Sequence, residues 1–305
     1  MRSETDLHPD EESPDPAHAP VDGPADAADP ADAEKKSRAG RNLPAAIGVG
    51  VSLAAVVVLS LFLVKEVFLG VVVVALAVGL WELGRAVSTV GIKIPVLPVA
   101  VGGSLMVVSA YVADLETASV AMSLTVIGIL VWRLSEGPDG FVRDATAGIF
   151  SLSYLFLMGT FVALMLSESD GAWRIVAFLL AAIASDTGGY IAGVLFGKHP
   201  MAPTISPKKS WEGLAGSFVG AIGVSIAVVV LALDGPWWAG VVLGAVGVVL
   251  GTLGDLLESL IKRDLGIKDM GNLLPGHGGL MDRLDSLVAV APFAWLVLYT
   301  LVPAT

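Results

Sequence analysis

Apolar positions gather into nine runs along the chain, at 43–64, 67–83, 94–112, 117–134, 145–166, 173–197, 213–233, 236–257 and 284–303. Each run is near the length of about 20 residues that a helix needs to cross a hydrocarbon core of about 30 Å. Strands of a membrane barrel would be about half as long and would alternate in polarity. The pattern therefore predicts an all-α polytopic membrane protein with about nine transmembrane helices. The first two runs, joined around Lys65 and Glu66, predict a helical hairpin. No internal repeat of 20–50 residues is evident.

Composition points the same way. The 305 residues are 55% hydrophobic and 15% charged, with a mean hydropathy of +0.78. A soluble domain is about 45–50% apolar and about 25% charged, so an ordinary soluble enzyme is excluded. Cysteine is absent, which removes disulfides, thiolate metal ligands and a cysteine nucleophile. The formal charge of −11 is unevenly spread: residues 1–40 carry 11 acidic and four basic side chains, a net of −7, with six prolines. That stretch reads as a disordered acidic Pro/Ala-rich tail without the apolar run of a signal peptide.

Basic residues orient the bundle. With the N-terminus in the cytosol and nine crossings, 15 lysines and arginines fall inside and only Lys65 and Arg174 fall outside, leaving aside Arg2 in the tail. The positive-inside rule asks for this bias. External connectors then carry Asp114, Glu116, Glu168, Asp170 and Asp234, and the C-terminus lies outside. The expected organisation is N-terminal transmembrane helices over 41–170 and catalytic transmembrane helices over 171–305. Localisation is to the cytoplasmic membrane, with the active site on its cytosolic face. Two internal connectors, 198–212 and 258–283, concentrate the polar chemistry.

Four polar groupings stand out. Ser185-Asp186-Thr187-Gly188-Gly189-Tyr190 lies inside the sixth run, with Asp186 11 residues from Gly197, about 16 Å deep at the helical rise. A carboxylate there should face protein or water, not lipid. Ser206-Pro207-Lys208-Lys209-Ser210-Trp211-Glu212-Gly213 leads into the seventh run. Ser210 fits an N-cap and Glu212 a first turn, and two lysines ahead of free amides suit an anion, although a basic pair obeying the topology rule is the alternative. In the third grouping, Asp255, Glu258, Ser259 and Lys262 share one helical face beyond a stripe of Gly240, Gly244, Gly247, Gly251 and Gly254; the stripe predicts close helix packing. The fourth runs from Lys268-Asp269 through Pro275-Gly276-His277-Gly278-Gly279 to Asp282, Arg283, Asp285 and Ser286. Carboxylates beside a glycine cradle and basic residues suit a hard cation such as Mg²⁺ bridging phosphates. There is no histidine cluster for zinc, no nucleophile elbow and nothing that reads nucleic acid. A secondary transporter of an anionic solute is the competing class; the missing repeat and the clustering on one face weigh against it.

Ser259-Leu260-Ile261-Lys262-Arg263, Lys268-Asp269 and Pro275-Gly276-His277-Gly278-Gly279-Leu280-Met281-Asp282-Arg283-Leu284-Asp285 closely resemble the signature of phosphatidate cytidylyltransferases, the CDP-diacylglycerol synthases. The groupings at 185–190 and 206–213 resemble that family's two preceding motifs, with Ser210 where threonine is common. The match covers about 180–290. The resemblance implies the reaction CTP + phosphatidate → CDP-diacylglycerol + diphosphate, in phospholipid biosynthesis. It implies Mg²⁺ on Asp255 and Asp282, with K⁺ as a candidate companion and Asp285 and Asp186 as further ligands or supporting groups. Lys208, Lys209, Lys262, Arg263 and Arg283 would hold phosphates, and His277, Gly278 and Gly279 would cradle one. Ser206, Ser210, Glu212 and Ser259 join the substrate-binding set. CTP, phosphatidate and the bilayer are the expected partners; a homodimer is left open.

Overall fold

The structure, a computed structural model, describes residues 43–273 and 278–303, and of residues 43–47 the backbone alone. The predicted tail at 1–40 and His277 lie outside the described residues. The rest is helical apart from one small hairpin. In order come α1 (Leu43–Leu63), α2 (Lys65–Ser88), α3 (Val96–Val112), α4 (Leu115–Ser135) and α5 (Phe141–Ser167). Then follow α6 (Gly171–Phe196), β1 (Pro200–Ala202), β2 (Ser206–Ser210), α7 (Trp211–Ala232), α8 (Trp237–Asp264) and α9 (Met281–Leu301). Each predicted run falls on one of these helices. Among the described residues, seven helices are long and apolar enough to cross a membrane; Val96–Val112 and the apolar stretch Gly48–Leu63 are shorter. An all-α polytopic membrane architecture fits this set.

The helices outrun the apolar runs where they matter most. α8 continues to Asp264 and α9 begins at Met281, so the polar residues at their facing ends are helical. Hydropathy ends a segment where charge begins, whereas the backbone stays helical as long as its polar face finds partners. The β1–β2 hairpin was not expected. Its strands pair antiparallel, Pro200 with Ser210 and Ala202 with Ser206, and such short, polar strands give almost no period-2 signal.

Small residues set the packing of the second half. A methyl group on Gly188 would lie 2.5 Å from the Gly216 carbonyl oxygen, so α6 and α7 touch backbone to backbone. The glycine stripe of α8 serves two neighbours: Gly240 and Gly244 bear on the backbone of α7 at Ile226 and Ile222, and Gly254 on the Asp285 carbonyl of α9. Small residues are the means by which membrane helices approach this closely.

Polar contacts collect the connectors at two opposite ends. At one end the Lys65 ammonium donates to the Glu168 carbonyl (2.5 Å), and the Tyr111 hydroxyl donates to Glu66 (3.1 Å). Arg174, 2% exposed, pairs with Asp170 and donates to the Val302 carbonyl at 2.8 Å. Asp114 caps α4 here by accepting the Thr117 N–H and hydroxyl at 2.7 and 2.8 Å, which holds its carboxyl below the usual range. At the other end, buried Arg133 of α4 pairs with buried Asp144 of α5 at 3.1 Å and with Glu136. Asp144 also accepts the Lys93 N–H at 3.0 Å. This knot ties two connectors together. Removing one partner of a buried pair strands the other charge, at a cost of about 3–5 kcal/mol. Asp144→Ala is therefore expected to lower the Tm of the detergent-purified protein by several degrees, while Asp139→Ala, at an exposed position, leaves it unchanged; differential scanning fluorimetry distinguishes the two.

Candidate active site

The end that holds the Arg133 knot also holds most of the chemistry. Helix α6 carries Asp186 mid-helix, and β2 returns across the end of α6 to deliver Lys208, Lys209 and Ser210. Ser210 caps α7, its hydroxyl accepting the Gly213 N–H at 3.1 Å, as the Ser/Thr preference for this position predicts. Glu212 turns the other way: it accepts the N–H groups of Lys198 and His199 and pairs with the His199 ring at 2.5 Å, anchoring the hairpin.

A cleft of about 200 Å³ results. Asp186, Tyr190 and Gly193 of α6, Lys208, Lys209 and Ser210 of β2, Ser217 of α7, and Thr252 and Asp255 of α8 line it. The Lys209 ammonium meets Asp255 Oδ2 at 2.7 Å across 46 residues of sequence. Asp186 stands within electrostatic reach of Asp255, Lys209 and Arg283. The basic pair thus faces a carboxylate cleft instead of only flanking a helix.

A second cluster lies one turn further along α8. Lys262 joins Glu258 to Asp282, with its ammonium 2.9 Å from Asp282 Oδ1. Asp282 also accepts the N–H groups of Gly279 (2.9 Å) and Met270 (3.1 Å). Gly278 has φ +85°, a conformation that favours glycine, and lies beside Asp282. The described amide of the glycine loop is therefore directed at a carboxylate of the chain itself. Asp285 links the two clusters: it is within electrostatic reach of Asp255 and Glu258, and its backbone is pressed on Gly254.

Among the residues named from sequence, Asp186, Lys208, Lys209, Ser210 and Asp255 come together in the cleft, and Lys262, Gly278, Gly279 and Asp282 in the second cluster. Arg283 is exposed near Asp186, Ser259 is half-buried on α8, and Arg263 points outward. Ser206 belongs to β2 and Glu212, in the first turn of α7, braces the hairpin; neither lines the cleft. Among the described residues, no three Asp, Glu or His groups stand close enough to hold a metal ion by themselves.

Three residues escaped the sequence reading of the site. Glu258, 1% exposed, shares Lys262 with Asp282, and its other oxygen Oε1 is buried without a hydrogen bond; from sequence it stood on the polar face of α8 without a role of its own. Tyr154 rides on the π-helical turn Leu152–Leu157 inside α5. Its hydroxyl is buried without a hydrogen bond, within electrostatic reach of Asp255, Glu258 and Asp285. Such turns recur at functional sites but leave no hydropathy signal. Glu82 of α2, 1% exposed, accepts the Met281 N–H at 2.7 Å. A lone acid inside an apolar run was the available signal.

Known proteins resemble this chain over most of its length. The pattern of the cytidylyltransferase family matches residues 44–301. A phosphatidate cytidylyltransferase of Mycobacterium bovis is 42% identical over 297 residues, 93% of this chain and 97% of its own length. One of Mycobacterium leprae is 43% identical over 283 residues, covering 87% and 90% of the two chains. One of Staphylococcus saprophyticus is 35% identical over 214 residues, 70% and 78% of the two. The family pattern spans the residues of both the cleft and the second cluster, and with 42% identity to a named member over 93% of its length the chain belongs to the cytidylyltransferase family.

Proposed function

We propose that the chain transfers a cytidylyl group from CTP to phosphatidate, giving CDP-diacylglycerol and diphosphate. The observation that carries this reading is the lysine–carboxylate cleft between α6, β2 and α8, in a chain whose relatives over 93% of its length bear the name of that activity. A phosphatidate oxygen attacks the α-phosphorus of CTP; the bond from that phosphorus to the bridging oxygen breaks, and diphosphate leaves with the electron pair. The attacking phosphate is already ionised, so no general base is required of His277. All participants are anions, and catalysis reduces to alignment and charge neutralisation.

The residues divide that work. Lys208, Lys209 and Lys262 supply positive charge, and the ammonium groups of Lys209 and Lys262 can each leave a carboxylate for a phosphate oxygen. Ser210 caps the N-terminus of α7 and lines the cleft beside the lysines. Gly278 and Gly279 let the loop approach closely. The donor set is all oxygen, and Glu258 Oε1 is buried without a partner; both suit Mg²⁺, which takes only one or two carboxylates beside substrate phosphates and water. Asp255 and Asp282 would hold it, with Asp285 and Asp186 in support, and K⁺ remains a candidate companion. Bound there, it would neutralise charge on the phosphates.

The same reading places the N-terminus in the cytosol, gives nine crossings of the cytoplasmic membrane and puts both clusters on the cytosolic face, where CTP is available. The grouping of Lys65, Arg174 and Val302 at one end and of the lysine clusters at the other supports this alternation. The transporter alternative is not favoured, because the polar groups collect at one end of the bundle.

Purified protein supplied with labelled CTP and phosphatidate in mixed micelles is expected to form chloroform-soluble label and diphosphate; EDTA should abolish this and Mg²⁺ restore it. Asp282→Asn is expected to lower kcat by at least about 100-fold, and near-wild-type turnover would overturn the metal assignment. Lys209→Ala should raise a substrate KM or lower kcat by about tenfold or more, the worth of one charge-assisted hydrogen bond; unchanged constants would reduce the pair to a topology signal. A cysteine placed at Lys268 should resist membrane-impermeant thiol reagents in sealed cells, and labelling from outside would reverse the orientation.

A further inference from the structure

Buried Glu82 has no role in the scheme above, yet it touches the segment that carries Asp282. It lies on α2, 199 residues before its hydrogen-bond partner. Its Oε2 accepts the N–H of Met281, the first residue of α9, at 2.7 Å. A methyl group on Gly271 would collide with its Oε1, and one on Gly279 would lie 2.8 Å from its Oε2. Two loop glycines therefore close on the carboxylate, one on each side.

Asp282 grips the same loop. It accepts the N–H groups of Met270 and Gly279, each adjacent to or part of the glycine pair that encloses Glu82. Asp282 bonds the loop at Met270 and Gly279, while Glu82 packs against Gly271 and Gly279 with its Oε1 buried without a hydrogen bond and bonds Met281 where the loop enters α9. Asp282 in turn meets the Lys262 ammonium. A carboxylate that is 1% exposed is costly unless partnered, and the first amides of a helix are an apt partner.

We propose that Glu82 is a positioning residue for the cytidylyl transfer: by clamping Gly271, Gly279 and the start of α9, it fixes where Asp282 and Lys262 stand toward the substrate phosphates. This rests on the reaction proposed above. Glu82 makes no contact with the reacting atoms and acts through Asp282. Its effect is on geometry, where small misplacements of catalytic groups cost large factors in rate.

The test uses the full-length purified protein as wild type, Glu82→Ala, Gly271→Ala and the double variant. Gly271→Ala drives a methyl into the clamp without altering α2, and so covers the case in which Glu82→Ala fails to fold. For folded protein, each single variant is expected to lower kcat at least about tenfold, with substrate KM values within about twofold of wild type. Hydrogen exchange of the peptide spanning 265–281 should accelerate by about tenfold or more, while peptides of α6 and α7 stay unchanged. The double variant should be no slower than the worse single one, because the methyl occupies the space that the truncated carboxylate leaves. Wild-type kcat and wild-type loop exchange in Gly271→Ala would overturn the proposal, as would independent, multiplying losses in the double variant. Should the wild-type protein make no CDP-diacylglycerol, the reaction reading fails, and the exchange measurement alone then decides whether the clamp exists.

Discussion

Like charges cannot be collected in a low-dielectric bundle without partners, and this constraint organises the polar end of the molecule. Asp255 is matched by Lys209, and Glu258 and Asp282 share Lys262, with backbone N–H groups completing the coordination of Asp282. Two of these pairs join segments distant in sequence, Lys209–Asp255 the hairpin to α8 and Lys262–Asp282 α8 to α9, while Glu258–Lys262 lies within α8. The ion pairs therefore tie the hairpin, α8 and α9 together.

Helix packing brings these pairs within range. Gly254 lets the backbone of α8 rest on the Asp285 carbonyl, so Asp255 and Asp285 lie close, while Gly188 and Gly216 draw α6 to α7 below the hairpin. The glycine stripe thus has consequences beyond tight packing, since it sets the spacing of the carboxylates. On the far side, Glu82 links α2 to the start of α9. The N-terminal helices hence contribute this contact and the buried Tyr154 hydroxyl of α5, neither of which lines the cleft.

Much of this was legible in the chain. The period-free apolar runs gave the helices, because only an all-apolar stretch of that length satisfies lipid. Ser210 was recognisable as a cap, and Asp255, Lys209 and Asp282 as chemistry, because charged residues at the ends of such runs have few other reasons to be there. What was hidden depends on tertiary contact. Glu258 stood on the polar face of α8 with Lys262, but its burial and the junction with Asp282 depend on α9. The π turn under Tyr154 has no compositional mark. Glu212 looked like substrate chemistry and instead secures the hairpin through His199, a local contact that spacing alone does not separate from a ligand role. The hairpin itself went unseen because three- and five-residue polar strands carry too few positions to show alternation.

The contact on which the proposed site most depends is that of Lys209 with Asp255 across the cleft. The absence of native cysteine makes this directly measurable. A Lys209→Cys/Asp255→Cys variant has two thiols only, and a short bifunctional thiol reagent, read by mass spectrometry, reports whether they meet. Efficient cross-linking is expected in the resting protein, because the two side chains meet at 2.7 Å. Thiols that fail to cross-link would contradict the contact.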